Sequence, residues 1–349
     1  MKRNKYCIIQ LLTVGFVVLF CSCSSKSNES LPKPEIKAGI ANVSGIIKGI
    51  LWSELEEKQP LELLYPKPVT NEIGHYRTTI NEDGSFLFDE VPVQYNTIGY
   101  MRTYIYEGFV ELIPGEDTKL EIVWRDDETG NLKINFDSRL GLTSNDLLCW
   151  ASVVGEMAGQ FSPKTLAHTG KPGQFAKSAI NAMEKKLKIA KNDTVISEKA
   201  KNLASNEFKL TALKELLLDY ETSDKSYYSF LSYFNLNNPQ YLYNGTYPRV
   251  LQSILSNETL NIPPINDTPI DIWMQEVKNT MAGFIGSDEG LFYDMLAANA
   301  YARQFNNELK PLSDKQKENI EAYFENGEIA KILLQRNEEL YSDIKCHND

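Results

Sequence analysis

The sequence has 349 residues, a formal net charge of −11 and 42% hydrophobic residues. Binding to nucleic acid depends on Lys and Arg side chains that neutralise phosphates, so this acidic chain is not expected to bind DNA or RNA. The length is typical of two domains, and the hydrophobic content is sufficient for buried cores.

The first 22 residues have the composition of a secretory signal peptide. Residues 2–5 contain three cations, an apolar run follows at 8–20, and Ser22 offers a small residue for cleavage. The apolar run is shorter than the roughly 20 residues that a membrane-spanning helix needs. We predict that residues 1–22 are removed, which takes away three cations and no anion and changes the formal charge from −11 to about −14.

Cys23 directly follows the predicted cleavage position. A cysteine in this place resembles the lipobox of bacterial lipoproteins, which implies that the Cys23 thiol is acylated and anchors the protein to a membrane. Residues 23–35 are rich in polar residues and Pro and are predicted to be a flexible tether. The predicted location is the cell envelope, either the periplasmic face or the outer-membrane surface. The alternative is a plain cleaved signal peptide without lipid.

Residues 36–137 carry short alternating runs separated by turn signals, which is typical of β-strands. The runs lie at 40–50, 61–65, 75–80, 85–88, 95–106, 109–113, 119–124 and 132–136. Asp83-Gly84 between two of these runs predicts a hairpin, because Gly accepts the positive φ of the turn. The sequence therefore predicts an N-terminal antiparallel β-sandwich.

Aromatic residues in this region admit two interpretations. A carbohydrate-binding module would expose Trp52, Tyr76, Tyr100 and Tyr104. Alternatively, these rings fill the core between two sheets, as aromatic residues of strands commonly do. The pattern favours the core.

Residues 140–345 change to helical periodicity, with apolar residues three and four positions apart. Helices are predicted at 144–157, 174–192, 197–220, 227–234, 247–255, 270–284, 289–305, 314–324 and 328–344. Ser144 is predicted to cap the first helix, and Ser313 with Gln316 forms a capping box further on. The predicted fold is therefore a β-sandwich followed by an all-α helical domain.

Eight aromatic residues cluster between positions 227 and 247. Within this cluster, Tyr241, Tyr243 and Tyr247 are candidates for a platform that binds a glycan or a peptide. At helical spacing the same residues also fit packing between helices. Both interpretations stay open.

The sequence offers no recognisable catalytic, cofactor-binding or metal-binding residues. It contains no G-x-S-x-G, phosphate-binding loop or dinucleotide fingerprint, and its three His residues are far apart. After Cys23 only Cys149, in an apolar helical setting, and Cys346 remain, and they form no C-x-x-C. We predict a non-catalytic protein without a cofactor. A hydrolase with an unrecognised carboxylate pair is the enzymatic alternative.

Several short motifs lie after the lipobox-like Cys23, first in the predicted strands and then in the predicted helices. They are VSG at 43–45, DGSF at 83–86, PGEDT at 114–118, FDSRL at 136–140 and IAKILL at 329–334. This order resembles the part of TlpA-like thioredoxin-family envelope lipoproteins that precedes their thioredoxin domain.

The resemblance covers nearly the whole mature chain and implies its compartment and architecture. It implies no catalytic residue, because the W-C-x-x-C of that family, whose low-pKa thiolate attacks disulfides, has no counterpart here. We expect either a stand-alone accessory protein that binds a protein partner or the front part of a longer thioredoxin-family protein. A glycan- or peptide-binding lipoprotein is the alternative.

Overall fold

Strands come first in the chain and helices second, as the sequence predicted. The computed structural model describes residues 30–49, 60–103, 106–124, 132–159, 161, 172–218, 222–281, 283–286 and 289–348. The predicted signal peptide, Cys23, Trp52 and Tyr104 lie outside these residues, and the expectations for them stay predictions. None of the described helices is long and apolar enough to cross a membrane.

Eight strands of the described chain form two sheets of four. In the first sheet the order is β4 (Ser85–Tyr95), β1 (Ile36–Lys48), β7 (Asp117–Val123) and β8 (Lys133–Phe136). In the second sheet the order is β3 (Glu72–Thr79), β2 (Pro60–Lys67), β5 (Thr97–Thr103) and β6 (Tyr106–Leu112). Each strand corresponds to a run of period two in the sequence, because alternation directs apolar side chains to one face.

One pairing departs from the antiparallel arrangement that we predicted. β1 runs parallel to β7, with Val43 opposite Thr118, while its other neighbour, β4, is antiparallel. Parallel strands cannot be joined by a tight turn and need a long crossover. Here the chain between β1 and β7 forms the whole second sheet and β4. The antiparallel prediction is therefore wrong for this pair.

The turn at Asp83-Gly84 is present, but the predicted hairpin is not. Gly84 has a φ of 84°, and its N–H donates to the Asn81 carbonyl at 2.8 Å. The strands on either side, β3 and β4, belong to different sheets. The turn residues therefore set the local bend, while burial of each strand against its own neighbours sets the pairing.

Eight α-helices and two 3₁₀ segments are found in the described chain after the strands. The α-helices are α1 (Ser144–Ala158), α2 (Pro172–Asn192), α3 (Glu198–Leu218), α4 (Tyr247–Leu255), α5 (Ile270–Met281), α6 (Leu291–Glu308), α7 (Asp314–Tyr323) and α8 (Glu328–Asn348). The 3₁₀ segments are Lys225–Phe234 and Pro239–Tyr243, and they carry most of the aromatic cluster.

The first helix is capped by Thr143, not by Ser144 as predicted. The Thr143 hydroxyl accepts from the Asp146 N–H at 3.1 Å, and the Asp146 carboxylate accepts from the Thr143 N–H at 2.7 Å. The Ser144 hydroxyl instead donates to the Ile134 carbonyl of β8. The predicted capping box at the start of α7 is confirmed.

A buried carboxylate holds the connection from β8 to α1. Glu111 of β6 is 1% exposed and accepts from the Arg139 N–H at 2.7 Å and the Leu140 N–H at 3.1 Å. It also accepts from the Ser138 hydroxyl. Burial raises the pKa of Glu111, and these three donors oppose that shift. The start of α1 is thereby tied to the sheet.

Helices and sheets also share buried contacts elsewhere. The hydroxyl of Tyr95, on β4, donates to the Leu242 carbonyl, and the Thr97 hydroxyl donates to the Tyr95 oxygen at 2.8 Å. The Asn299 amide of α6 donates to the Pro68 carbonyl at 2.9 Å. The buried hydrophobic residues of both parts form one cluster. The boundary between a β domain at 36–137 and a helical domain at 140–345 stays a prediction.

Candidate functional site

A cavity of about 210 Å³ lies where the second sheet meets the helices. Its sheet wall contains Leu64, Tyr100 and Phe109, which stand opposite one another on β2, β5 and β6. Side chains alternate along a strand, so residues paired in register lie on the same face of the sheet. The other walls come from α1, α3 and the segment 243–245. The sheet therefore presents one row of apolar and aromatic side chains to the helices.

Three aromatic rings form one side of this cavity. The ring centroids of Tyr100 and Phe109 are 5.5 Å apart. The Trp150 ring of α1 meets Phe109 edge to face, with centroids 4.8 Å apart. Such contacts between aromatic rings are favourable and hold the rings in place. All three residues are half-buried, so the cavity reaches solvent at this end.

Glu207 of α3 brings a carboxylate to the cavity wall. Its Oε1 accepts a hydrogen bond from the Thr246 hydroxyl. Its Oε2 is buried and accepts no hydrogen bond from the residues that the structure describes. Burial raises the pKa of Glu207, while the hydrogen bond from Thr246 acts in the opposite direction. An unsatisfied buried acceptor costs about 1–3 kcal/mol, more if charged. Oε2 lies just behind the cavity surface, so a ligand recovers this energy when the Glu207 side chain turns its carboxylate toward the cavity.

The same wall also holds an unpaired donor. The Nε1–H of Trp150 is buried and has no acceptor among the described residues. A buried indole N–H usually finds a partner. Trp150 and Glu207, which both line the cavity, thus hold one unpaired donor and one unpaired acceptor just behind a largely apolar wall. A few polar groups among apolar ones are the usual composition of a small-molecule site.

A second carboxylate on the wall, that of Asp146, is engaged by the fold. Its Oδ1 accepts from the Ser197 N–H at 2.6 Å, and its Oδ2 accepts from the Ser197 hydroxyl at 2.8 Å. Oδ2 also accepts the cap hydrogen bond from Thr143. Asp146 therefore fixes the starts of α1 and α3 to each other and has a structural role.

The structure does not bring the three predicted platform tyrosines to one surface. Tyr243 lines the cavity, and its hydroxyl donates to the Pro32 carbonyl at 3.1 Å. Tyr241 and Tyr247 are buried, with ring centroids 5.7 Å apart, and each hydroxyl donates to a backbone carbonyl. Of the three, only Tyr243 contributes to the cavity wall.

The remaining candidate residues lie in separate places. Tyr76 of β3 is half-buried against Tyr65, with ring centroids 6.2 Å apart. Cys149 is half-buried, and burial raises the pKa of its thiol, whereas Cys346 is exposed on α8. Within the described ranges, no three His, Cys, Asp or Glu side chains are grouped to hold a metal ion.

Comparison with protein-family models, with curated proteins and with solved structures gives no match. The candidate site therefore rests on its own geometry. The decisive residues in that geometry, Glu207 and Trp150, were not predicted from the sequence.

A signal for Glu207 was nevertheless present in the sequence. Leu203 and Leu210, four residues before it and three after it, are both buried. Residues at this spacing share one face of a helix, so a carboxylate at position 207 interrupts an apolar stripe. Such an interruption is the pattern that marks a buried polar group.

Proposed function

We propose that this chain is a lipid-anchored, non-catalytic protein of the cell envelope that binds a small ligand in the cavity between its second sheet and its helices. The carrying observation is the cavity wall, where the aromatic rings of Tyr100, Phe109 and Trp150 adjoin an unpaired carboxylate oxygen of Glu207. The sequence pattern around Cys23 supports the anchor and the compartment.

The size of the cavity limits the ligand. An engineered cavity of about 150 Å³ holds benzene, so by proportion about 210 Å³ holds a ligand of roughly eight non-hydrogen atoms. At about 0.5–0.75 kcal/mol for each atom, which is half the ceiling for tiny ligands or less, such a ligand gains about 4–6 kcal/mol. The corresponding Kd lies between about 50 µM and 1 mM.

This proposal narrows the glycan- or peptide-binding hypothesis. A platform for a glycan chain needs a row of exposed rings, and Tyr241 and Tyr247 are buried. The cavity fits one small molecule or one side chain of a peptide. The resemblance to TlpA-like lipoproteins supports an accessory role toward a protein partner, and a ligand group carried by such a partner is compatible with both hypotheses.

We also propose that the two sheets face each other as a sandwich. Leu63 and Met101 are fully buried and paired in register, on the opposite face of the second sheet from the cavity. Val43 of the first sheet is equally buried. The Tyr65 hydroxyl of β2 donates to the Pro92 carbonyl of β4 at 2.7 Å, which joins the two sheets.

Titration calorimetry with benzyl alcohol, which has eight non-hydrogen atoms, tests the ligand-binding proposal. The full protein is placed in nanodiscs of neutral lipid, because detergent could enter an apolar cavity, and empty nanodiscs provide the baseline. We expect a Kd between about 50 µM and 1 mM.

Two matched variants locate the binding. Ala200 is fully buried on the cavity wall, so Ala200→Leu fills part of the cavity and should abolish binding. Ala322 is exposed on α7, and Ala322→Leu should leave the Kd unchanged. Absence of binding to the unaltered protein, or binding that survives Ala200→Leu, refutes the proposal.

A further inference from the structure

The charge of the cavity wall points to the class of ligand. Its lining residues, as far as the structure describes them, include two carboxylates, Glu207 and Asp146, and no Lys, Arg or His. We infer that the cavity binds a small organic cation, a protonated primary amine, with Glu207 as its charge partner. This inference rests on the proposed ligand-binding function and deepens it.

Glu207 is the group that meets the ammonium. Its Oε2 is buried just behind the cavity wall and accepts no hydrogen bond from the described residues, so an ammonium in the cavity meets it when the Glu207 side chain turns toward the cavity. The charge of Arg249 lowers the pKa of Glu207 from a distance, without a hydrogen bond, and the Arg249 side chain is exposed. A carboxylate taken out of water needs a cation and good hydrogen bonds to offset its desolvation. An ammonium supplies both, because it carries a positive charge and three donors.

The aromatic rings favour the same class of ligand. The faces of Tyr, Phe and Trp rings carry negative potential, and a cation within about 6 Å of a ring centroid is attracted to it. Tyr100, Phe109 and Trp150 stand together on one side of the cavity. A desolvated cation therefore gains from rings and carboxylate together.

The other charge classes fit less well. An anion would face Glu207 and Asp146 with no cation on the wall to balance it. A neutral alcohol can donate to Oε2 but forms no ion pair. The free Nε1–H of Trp150 further favours amines that also carry a hydroxyl or carbonyl acceptor.

Three probes of nearly equal shape separate these classes. Benzylamine, which is protonated at pH 7, benzyl alcohol and benzoate are titrated into the full protein in neutral-lipid nanodiscs. Benzylamine and benzyl alcohol both donate a hydrogen bond to the Glu207 carboxylate, but only benzylamine adds the attraction between opposite charges, which for close pairs corresponds to roughly a 10- to 100-fold difference. We expect benzylamine to bind about 10- to 100-fold more tightly than benzyl alcohol, and benzoate to bind more weakly than either.

Glu207→Gln should reduce the preference for benzylamine over benzyl alcohol to about onefold while benzyl alcohol still binds. Glu215→Gln, on the same helix but away from the cavity wall, should leave the preference unchanged. Circular dichroism checks that each variant folds. If Glu207→Gln does not fold, the preference of the unaltered protein for n-pentylamine over n-pentanol decides instead.

The failures are distinguishable. If none of the probes binds the unaltered protein, both the proposed function and the inference about the cation are wrong. If benzyl alcohol binds and benzylamine binds no more tightly, the cavity is a ligand site but the cation inference is wrong. A preference that persists in folded Glu207→Gln also overturns the inference, because the charge partner is then a different group.

Discussion

Removing the Tyr95 hydroxyl tests whether strands and helices unfold as one unit. Tyr95 is fully buried, and its hydroxyl lies between the Leu242 carbonyl and the Thr97 hydroxyl. Tyr95→Phe keeps the ring and leaves both of these buried groups without their partner. Each unsatisfied group costs about 1–3 kcal/mol, so we expect a loss of about 3–4 kcal/mol in the free energy of unfolding.

The size of the melting shift then reports the size of the cooperative unit. The entropy of unfolding is about 2.1 cal/mol/K per residue, so roughly 300 residues that unfold together give a decrease of about 5–6 °C in Tm. A β part of about 100 residues that unfolds alone would lose about 15 °C or more. Because Tyr95 joins β4 to the segment before α4, we expect the smaller shift in a single transition.

Differential scanning calorimetry measures both the number of transitions and their shifts. Tyr341 is 62% exposed on α8, and Tyr341→Phe serves as the control, with no expected change. Two transitions, of which Tyr95→Phe lowers only one, would refute the single-unit reasoning. A change below about 1 °C would show that the buried hydrogen bonds contribute little to stability.

Three further predictions concern single side chains. Burial raises the pKa of Glu207 above its ordinary value of 4.5, so its contribution to stability is present below about pH 4.5 and is lost as the pH rises through the folded-state pKa. Glu207→Gln should therefore gain stability over the unaltered protein at pH 8 but not at pH 4, as measured by urea unfolding; equal differences at both values would contradict this. Asp146→Asn places an amide against the donors from Ser197 and Thr143 and should lower the free energy of unfolding by about 2–3 kcal/mol, as measured by scanning calorimetry. The control Asp271→Asn, at an exposed position of α5, should change the free energy of unfolding very little. Cys23→Ala should abolish incorporation of a fatty-acid analogue in cells, and persistent labelling would show that the anchor is elsewhere.

Local sequence patterns predicted where the strands and helices lie better than they predicted which strands pair. Alternation marked all eight strands, because the period of two follows directly from the strand backbone. The same alternation carries no information about which strand lies beside which. β1 has β7 as a parallel neighbour, although 75 positions separate the paired residues Asn42 and Asp117. A pattern within either strand cannot predict a pairing over that distance.

Capping residues show the same limit on a smaller scale. Thr143 and Ser144 are both good caps by residue type. The contact between the Ser144 hydroxyl and the Ile134 carbonyl removes Ser144 from that role. This choice depends on how β8 approaches α1, which no pattern within the helix contains.

The candidate site was predictable only in part. Tyr100 and Tyr243 were singled out as aromatic residues, but their place on one cavity depends on the packing of the helices against the second sheet. The contact between Phe109 and Trp150 joins residues on β6 and α1. Such a contact arises only from tertiary packing. The sequence therefore identified candidate residues, but it did not predict which of them lie together.

The hydrogen bonds of Glu111 have a consequence for the kinetics of ligand exchange. Glu111 and Phe109 lie two residues apart on β6, and Glu111 holds the backbone just before α1, the helix that carries Trp150. Swinging α1 away from the sheet would therefore break several buried hydrogen bonds at once. A ligand would instead enter and leave past the half-buried rings of Tyr100, Phe109 and Trp150, because a shift of these rings breaks none of the Glu111 hydrogen bonds. Bulkier amines should accordingly be rejected by their size and not merely delayed.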